Sequence, residues 1–187
     1  MRVISGLKKG YRLKGPKSGD IRPTEDRIKE SMFNILGYID HESIVLDLCA
    51  GTGSIGIEFL SRGAKKAYFV DSSRESIQCI KENLDHTKLV DRAEVIKGDV
   101  IKAIINFGQR GITFDYIFAD PPYNRVELIG DIVNQISING ILNKDKGIFI
   151  IEHEKRITLD DIMYDLKRID YRVYKNTCLS FYSFAES

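Results

Sequence analysis

The sequence predicts an α/β fold, a doubly wound and mostly parallel sheet, and three observations carry that prediction. From residue 44 onward, short apolar runs alternate with segments of helical spacing: "SIVLDLCA", "KAYFV", "AEVIK", "FDYIFA" and "GIFIIEH" are each followed by one. Repeated strand–helix units of this kind close into a parallel sheet with helices on both faces. The runs are also nearly continuous in apolar residues, as strands covered on both faces are. Finally, acids and glycines recur just after the runs, at Asp47 to Gly53, Asp71, Gly98 to Asp99 and Asp120 to Tyr123. Open α/β sheets bind ligands beyond the carboxyl ends of their strands, so these positions are expected to converge on one crevice.

The chain has 187 residues, which suits one α/β domain with a small appendage, and 43% hydrophobic residues allow a sizeable core. No apolar run approaches the ~20 residues that span a bilayer. The opening "MRVISGLKKG" lacks the apolar stretch of a signal peptide, so a cytoplasmic protein is expected. Cys49, Cys79 and Cys178 are far apart and form no CxxC pair. Reduced thiols follow, with neither a disulfide framework nor a metal site. The net charge of +1 conceals an asymmetry. Residues 1–19 hold Arg2, Lys8, Lys9, Arg12, Lys14 and Lys17 and no acid, so the rest of the chain sums to −5. A basic end on a mildly acidic body suggests a polyanion partner; a solvated tail is the plain alternative.

Each element has its own signal. "MRVISGLKKGYRLKGP" alternates apolar residues with Gly and Lys, and predicts a β-hairpin extension over residues 1–22, ahead of a main domain at 23–187. In "RPTEDRIKESMFNIL", Thr24 is a good N-cap, Glu25 and Asp26 suit a helix N-terminus, and Ile28, Met32, Ile35 and Leu36 follow helical spacing. Helices are then expected over "SIGIEFLSR", "SRESIQCIKENL", "DVIKAIINF", "RVELIGDIVNQIS" and "LDDIMYDLKR". The closing "YRVYKNTCLSFYSF" predicts two strands joined by a turn around Lys175 and Asn176.

The stretch "GTGSIG" at 51–56 is a literal G-x-G-x-x-G, and Asp71 falls 20 residues after Gly51. Both match a dinucleotide fingerprint. Asp47, four residues before Gly51, argues otherwise. A carboxylate at the mouth of this turn disfavours a pyrophosphate and favours a ligand with a positive charge. S-adenosylmethionine (SAM) carries an ammonium, a sulfonium, a ribose and an adenine, and no phosphate. Gly51 and Gly53 let backbone approach such a cofactor closely. Asp71 is placed to accept from ribose hydroxyls, and Asp99 from the adenine amine. Thr52, Ser72 and Val100 flank these positions and complete the expected cofactor-binding set. The plain alternative for Asp71 and Asp99 is helix N-capping. Cys49 is expected to be a small buried residue of the turn.

A second motif, "ADPPYN" at 119–124, follows the apolar run "FDYIF". Proline cannot donate to a sheet ladder, so the strand stops there and leaves a stiff turn with acceptors beside an aromatic ring. An exocyclic amine on a base is a poor nucleophile because its lone pair is delocalised. The Asp120 carboxylate and the Pro121 carbonyl are expected to accept its two N–H bonds and stabilise developing positive charge. Tyr123 offers a stacking surface, and Pro121 and Pro122 hold the three in register. An ordinary strand-ending turn is the plain reading of the same residues.

On "RVISGLKKGYRLKGP", "IRPTEDRIKESMFNIL", "LDLCAGTGSIGIEFLSRGA", "DYIFADPPYN" and "LSFYSF", the chain resembles the RsmD family of class I SAM-dependent 16S rRNA (guanine-N2) methyltransferases. That resemblance implies a Rossmann-like seven-stranded sheet with its last strand antiparallel. It implies methyl transfer to the N2 amine of a guanine in small-subunit rRNA, within a subunit or an assembly intermediate. By position, Asp120, Pro121, Pro122 and Tyr123 match the catalytic motif. Asp47, Gly51, Gly53, Asp71 and Asp99 match the cofactor positions. RNA contacts are expected from Arg2, Lys8, Lys9, Arg12, Lys14, Arg22 and Arg27. A DNA adenine-N6 methyltransferase shares the catalytic half, although 187 residues leave little room for a target-recognition region. A nicotinamide-dependent oxidoreductase would share the glycine turn. A non-catalytic RNA-binding module would need neither the "DPPY" turn nor a SAM pocket.

Overall fold

The computed structural model describes residues 1–15, 26–122 and 125–185, and the chain divides into two units, Met1–Gly98 and Asp99–Ser187. In the first unit, β1 (Ile44–Leu48), β2 (Lys66–Asp71) and β3 (Ala93–Lys97) pair in parallel, with β2 in the middle. Leu48 lies opposite Val70, and Asp71 opposite Lys97, so the carboxyl ends of these strands come out together. The accompanying helices are α1 (Asp26–Leu36), α2 (Ser54–Ser61) and α3 (Arg74–Thr87). Thr24 and Glu25, the expected start of α1, lie outside the described residues.

Helix α2 reads "SIGIEFLS" and is apolar nearly all round, which requires burial on every side. All eight of its residues are buried. Ile57, Phe59 and Leu60 are wholly enclosed, each contributing about 1.5–3 kcal/mol. Gly56 explains how close the helix comes to β2, because an added Cβ would lie 2.3 Å from the Phe69 ring. Phe33 of α1 packs edge-on against Phe59, 4.6 Å between ring centres.

The N-terminal arm, residues 1–15, also covers α2. The arm folds back on itself: Arg2 and Arg12 form an isolated antiparallel bridge, and Gly10 donates to Val3 while Val3 donates to Tyr11. A 3-10 turn at Gly6–Lys8 occupies its middle, so within residues 1–15 the expected hairpin is reduced to that bridge; its remainder, 16–22, lies outside the described residues. The arm is fastened to α2 by backbone groups. Ile4 and Ser5 donate to the two Glu58 carboxylate oxygens at 2.8 and 2.9 Å, and Lys8 donates to Ser61 Oγ at 2.9 Å. Gly6, at φ 80°, presses so close that a Cβ would sit 1.9 Å from the Ser61 carbonyl. Glu58 is fully buried and is balanced by Lys29, also fully buried, and by Arg62. Burial pushes the Lys29 pKa down, although the Glu58 carboxylate opposes this.

The second unit holds α4 (Val100–Gln109), β4 (Tyr116–Ala119), α5 (Glu127–Asn139), β5 (Ile148–Glu154), β6 (Ile162–Met163), β7 (Leu166–Tyr174) and β8 (Thr177–Phe184). Strands β4 and β5 are parallel, with Tyr116 opposite Ile148. Strand β8 runs antiparallel to both β5 and β7 and lies between them. Parallel pairing with an antiparallel last strand is the mixed α/β architecture predicted. Eight strands are described where seven were expected. The helix predicted over "LDDIMYDLKR" is instead the β6–β7 turn, with Met163 opposite Leu166 and Tyr164 at φ 57°. Leu159, Ile162, Met163 and Leu166 imitate a helical stripe, but Ile162 is 66% exposed and only Leu159 and Leu166 are buried. Three aspartates in that stretch are weak helix formers, and pairing of Leu166 with Phe184 decides for strand.

Candidate cofactor turn and catalytic turn

After β1 the chain reverses through left-handed backbone, with φ of 55° at Cys49, 54° at Gly51 and 75° at Gly53. Glycine adopts this region without strain, whereas at Cys49 it costs on the order of 1 kcal/mol and must be held by neighbours. The neighbours are clear. Ala50 donates to the Val70 carbonyl at 3.1 Å, Gly53 to the Ala50 carbonyl at 2.7 Å, and Gly51 to Asp71 Oδ2 at 2.9 Å. Cys49 itself is half-buried, more open than its expected place in the turn.

Asp47 is 1% exposed, and its Oδ2 accepts from the Gly56 N–H at 3.0 Å. Burial raises its pKa to about 8; the Gly56 bond opposes the shift and the nearby Asp71 charge adds to it. Near neutral pH the carboxyl is therefore largely protonated. A buried acid in this condition gains most from a cation placed beside it. The same bond anchors the first turn of α2, so Asp47 has a structural task as well.

Asp71 ends β2 and organises two turns at once, accepting from Gly51 with Oδ2 and from Ser73 with Oδ1 at 2.8 Å. Ser72 is exposed, and Ser73 caps α3 by accepting from Ser76. Thr52 is 4% exposed; its carbonyl accepts from Asn83 Nδ2 at 3.0 Å and its Oγ1 donates to Met1 Sδ at 3.5 Å. The structure thus brings Asp47, Gly51, Thr52, Gly53, Asp71 and Ser72 together around one turn of the first unit.

In the second unit, Asp99 is the N-cap of α4. Its Oδ1 accepts from Ile101 and Lys102 at 3.0 and 3.1 Å, and Val100 is the first, buried residue of the helix. A carboxylate has about four acceptor sites, so capping does not exhaust Asp99. Strand β4 ends at Ala119. Asp120 is half-buried, Pro121 buried and Pro122 exposed, and the Pro122 carbonyl accepts from Arg125 at 2.9 Å. Tyr123 lies outside the described residues, as do Arg22 and Lys17.

Of the expected RNA-contacting cations, Arg2, Lys9, Arg12, Lys14 and Arg27 are exposed and Lys8 is half-buried. Lys14 pairs with Glu82 at 2.9 Å, a hydrogen bond that raises its pKa, and Arg2 lies 3.7 Å from Asp26. Lys8 stands over the Tyr11 ring at 5.8 Å. Among the described residues, no three or more His, Cys, Asp or Glu side chains gather as a metal site would need, and no helix is long and apolar enough to cross a membrane. Two residues escaped the sequence reading. Glu58 and Asn83 both sit at buried helix positions where an apolar residue is the norm, and that misfit is the signal that could have found them.

Comparison with known proteins places these features in context. A family model described as conserved hypothetical protein 95 matches residues 1–183. The chain is 37% identical over 182 residues to the candidate rRNA methyltransferase YlbH of Bacillus subtilis, spanning 97% of this chain and 98% of that one. It is 33% identical over 183 residues to ribosomal RNA small subunit methyltransferase D of Haemophilus influenzae, spanning 94% of each. Among solved structures, the candidate methyltransferase yhhF of Escherichia coli aligns with a TM-score of 0.84 at 27% identity, over 100% of this chain and 99% of that one.

Proposed function

The chain belongs to the RsmD family, whose model is described as conserved hypothetical protein 95, and from that premise we propose that it is a SAM-dependent methyltransferase acting on the exocyclic N2 amine of a guanine in small-subunit (16S) rRNA. The observation that carries the cofactor is Asp47. A buried carboxyl with its pKa raised to about 8, at the glycine turn, suits a cationic amino-acid moiety and opposes a pyrophosphate. SAM, when bound, supplies an electrophilic methyl group on sulfonium. The chain supplies the rest. Asp47 holds the ammonium, Asp71 the ribose hydroxyls and Asp99 the adenine amine. Gly51, Thr52, Gly53, Ser72 and Val100 shape the surrounding backbone.

Asp120 and the Pro121 carbonyl accept the two N–H bonds of the target amine and stabilise positive charge as it develops on nitrogen. Pro121 and Pro122 stiffen that turn, and Tyr123 stacks on the base. No dedicated base is required, because the methylated nitrogen is strongly acidic and solvent takes its proton. Arg2, Lys8, Lys9, Arg12, Lys14, Arg22 and Arg27 bind phosphates around the target, which positions the RNA without reading it. An rRNA substrate makes the cytoplasm the working compartment.

The test is direct. Methyl-labelled SAM is incubated with small subunits lacking the modification, and the labelled base is mapped. Label on one guanine N2 is expected; label on a different base, or none on the subunit, overturns the assignment. Asp71→Ala is expected to weaken SAM by about 1–3 kcal/mol, since it strips partners from buried polar groups. Calorimetric binding of NADH in place of SAM would sink the cofactor reading.

A further inference from the structure

Thr52 stands in the middle of the glycine turn and is reached by both ends of the N-terminal arm. Met1 Sδ accepts from its Oγ1. The other end arrives through Asn83, on α3, which is fully buried. Asn83 Oδ1 accepts from the Lys14 N–H at 2.8 Å, and its Nδ2 donates to the Lys14 carbonyl at 3.1 Å and to the Thr52 carbonyl at 3.0 Å. One amide therefore ties the backbone of the arm to the backbone of the turn.

Packing alone does not ask for this residue. Asn83 shares the inner face of α3 with Ile77, Ile80 and Leu84, where leucine would form a better helix and bury no polar group. Its Nδ2 also reaches Cys79 Sγ at 3.6 Å, but its shorter bonds all go to main-chain groups, in segments that the proposed function gives to different ligands.

Resting on that reading of cofactor turn and RNA-binding arm, we infer that Asn83 is a positioning residue that couples the two ligands. Phosphates held by Lys8, Lys9 and Arg12 keep the arm seated, which keeps Lys14 against Asn83 and the Thr52 carbonyl in place. The turn is then ordered before the cofactor arrives. By linkage, a bound cofactor strengthens RNA binding by the same factor. The cofactor and the RNA thus favour one another, and the enzyme holds SAM most tightly when its substrate is present.

The probe is S-adenosylhomocysteine, which has no methyl to transfer. Its affinity is measured by calorimetry at one salt concentration, with and without saturating in vitro-transcribed small-subunit rRNA. The parent protein is expected to bind it at least about five-fold more tightly with RNA present, the lower end of ordinary coupling. In Asn83→Ala, and in Asn83→Asp, which keeps the acceptor and loses both donors, the ratio falls to about one while RNA still binds. A purely structural role would lower stability or both affinities and leave the ratio as in the parent. Equal affinities with and without RNA in the parent overturn the coupling and leave the cofactor reading standing, and this holds even if neither variant folds. Absence of S-adenosylhomocysteine binding in the parent overturns both.

Discussion

The Asp47 carboxyl and the Gly56 backbone nitrogen lie 3.0 Å apart, so the acid one residue before the end of a parallel strand is bound to the first turn of the next helix. The bond fixes how α2 leaves the glycine turn, and it holds a carboxyl in a place where ionisation is costly. Both consequences can be measured.

The first is a pH dependence of stability. The folded pKa of about 8 stands above the unfolded value of about 3.9. Between those values the folded protein keeps a proton that the unfolded chain has released. Stability therefore falls as pH rises from about 4 to about 8 and is level above that. Asp47→Asn cannot ionise, so its melting temperature is expected to exceed the parent's at pH 8, with the gap closing toward pH 4. The same variant is expected to lose SAM affinity. Thermal melts at three pH values decide the matter, and a pH-independent difference would show that Asp47 is not the titrating group.

The second concerns Gly56. Replacing a helical glycine by alanine usually stabilises by up to about 1 kcal/mol. Here the new methyl would meet the Phe69 ring at 2.3 Å, and overpacking of this kind costs about 1–3 kcal/mol. Overpacking wins, so Gly56→Ala is expected to be destabilised in urea. Gly56→Ala combined with Phe69→Leu should recover part of the loss. A Gly56→Ala protein as stable as its parent would mean that the helix withdraws from β2 at no cost.

The glycine turn and its acids were legible in the sequence because they are local. Gly51, Gly53 and Asp47 lie within a few residues of one another, so the pattern can be read locally, although the finished turn also leans on Val70, Asp71 and Asn83. The capping alternative for Asp99 was also legible, since an acid before "VIKAIINF" stands where a helix cap belongs, and the cap is what the structure displays. The β6–β7 turn was not legible. Its apolar spacing is helical, and the deciding contact, Leu166 with Phe184, joins positions that no local pattern relates. Asn83 was hidden for the same reason, because its partner Lys14 is 69 residues away. The arm read as a hairpin because alternation fits one. What holds it is Glu58, whose bonds to Ile4 and Ser5 replace the missing ladder.

The third prediction addresses the catalytic turn. Asp120→Ala removes a preorganised acceptor and should lower methyl transfer about 10²-fold or more. Its SAM affinity should stay near the parent's, because Asp120 has no part in holding the cofactor. Single-turnover rates with saturating SAM separate the two effects. Near-normal turnover in this variant would mean that charge on the amine is stabilised elsewhere.

The fourth prediction separates the arm's charges from its seat. The seat is made by backbone groups: Ile4 and Ser5 on Glu58, Lys8 N on Ser61, and Lys14 N on Asn83. None of these bonds uses a lysine or arginine side chain of the arm. The Lys14–Glu82 pair is exposed on the Lys14 side, and exposed pairs contribute little. Replacing Lys8, Lys9, Arg12 and Lys14 together by Ala should therefore leave the arm docked as in the RNA-free parent, and SAM affinity measured without RNA nearly unchanged. RNA binding should weaken and its salt dependence should flatten, because each phosphate contact removed lowers the slope of log K against log salt by roughly 0.7–0.9. Filter binding across a salt series measures that slope directly. If the arm serves only to cover α2, the quadruple variant will bind RNA with the parent's affinity and the parent's slope. The cations that hold RNA would then have to be sought elsewhere in the chain.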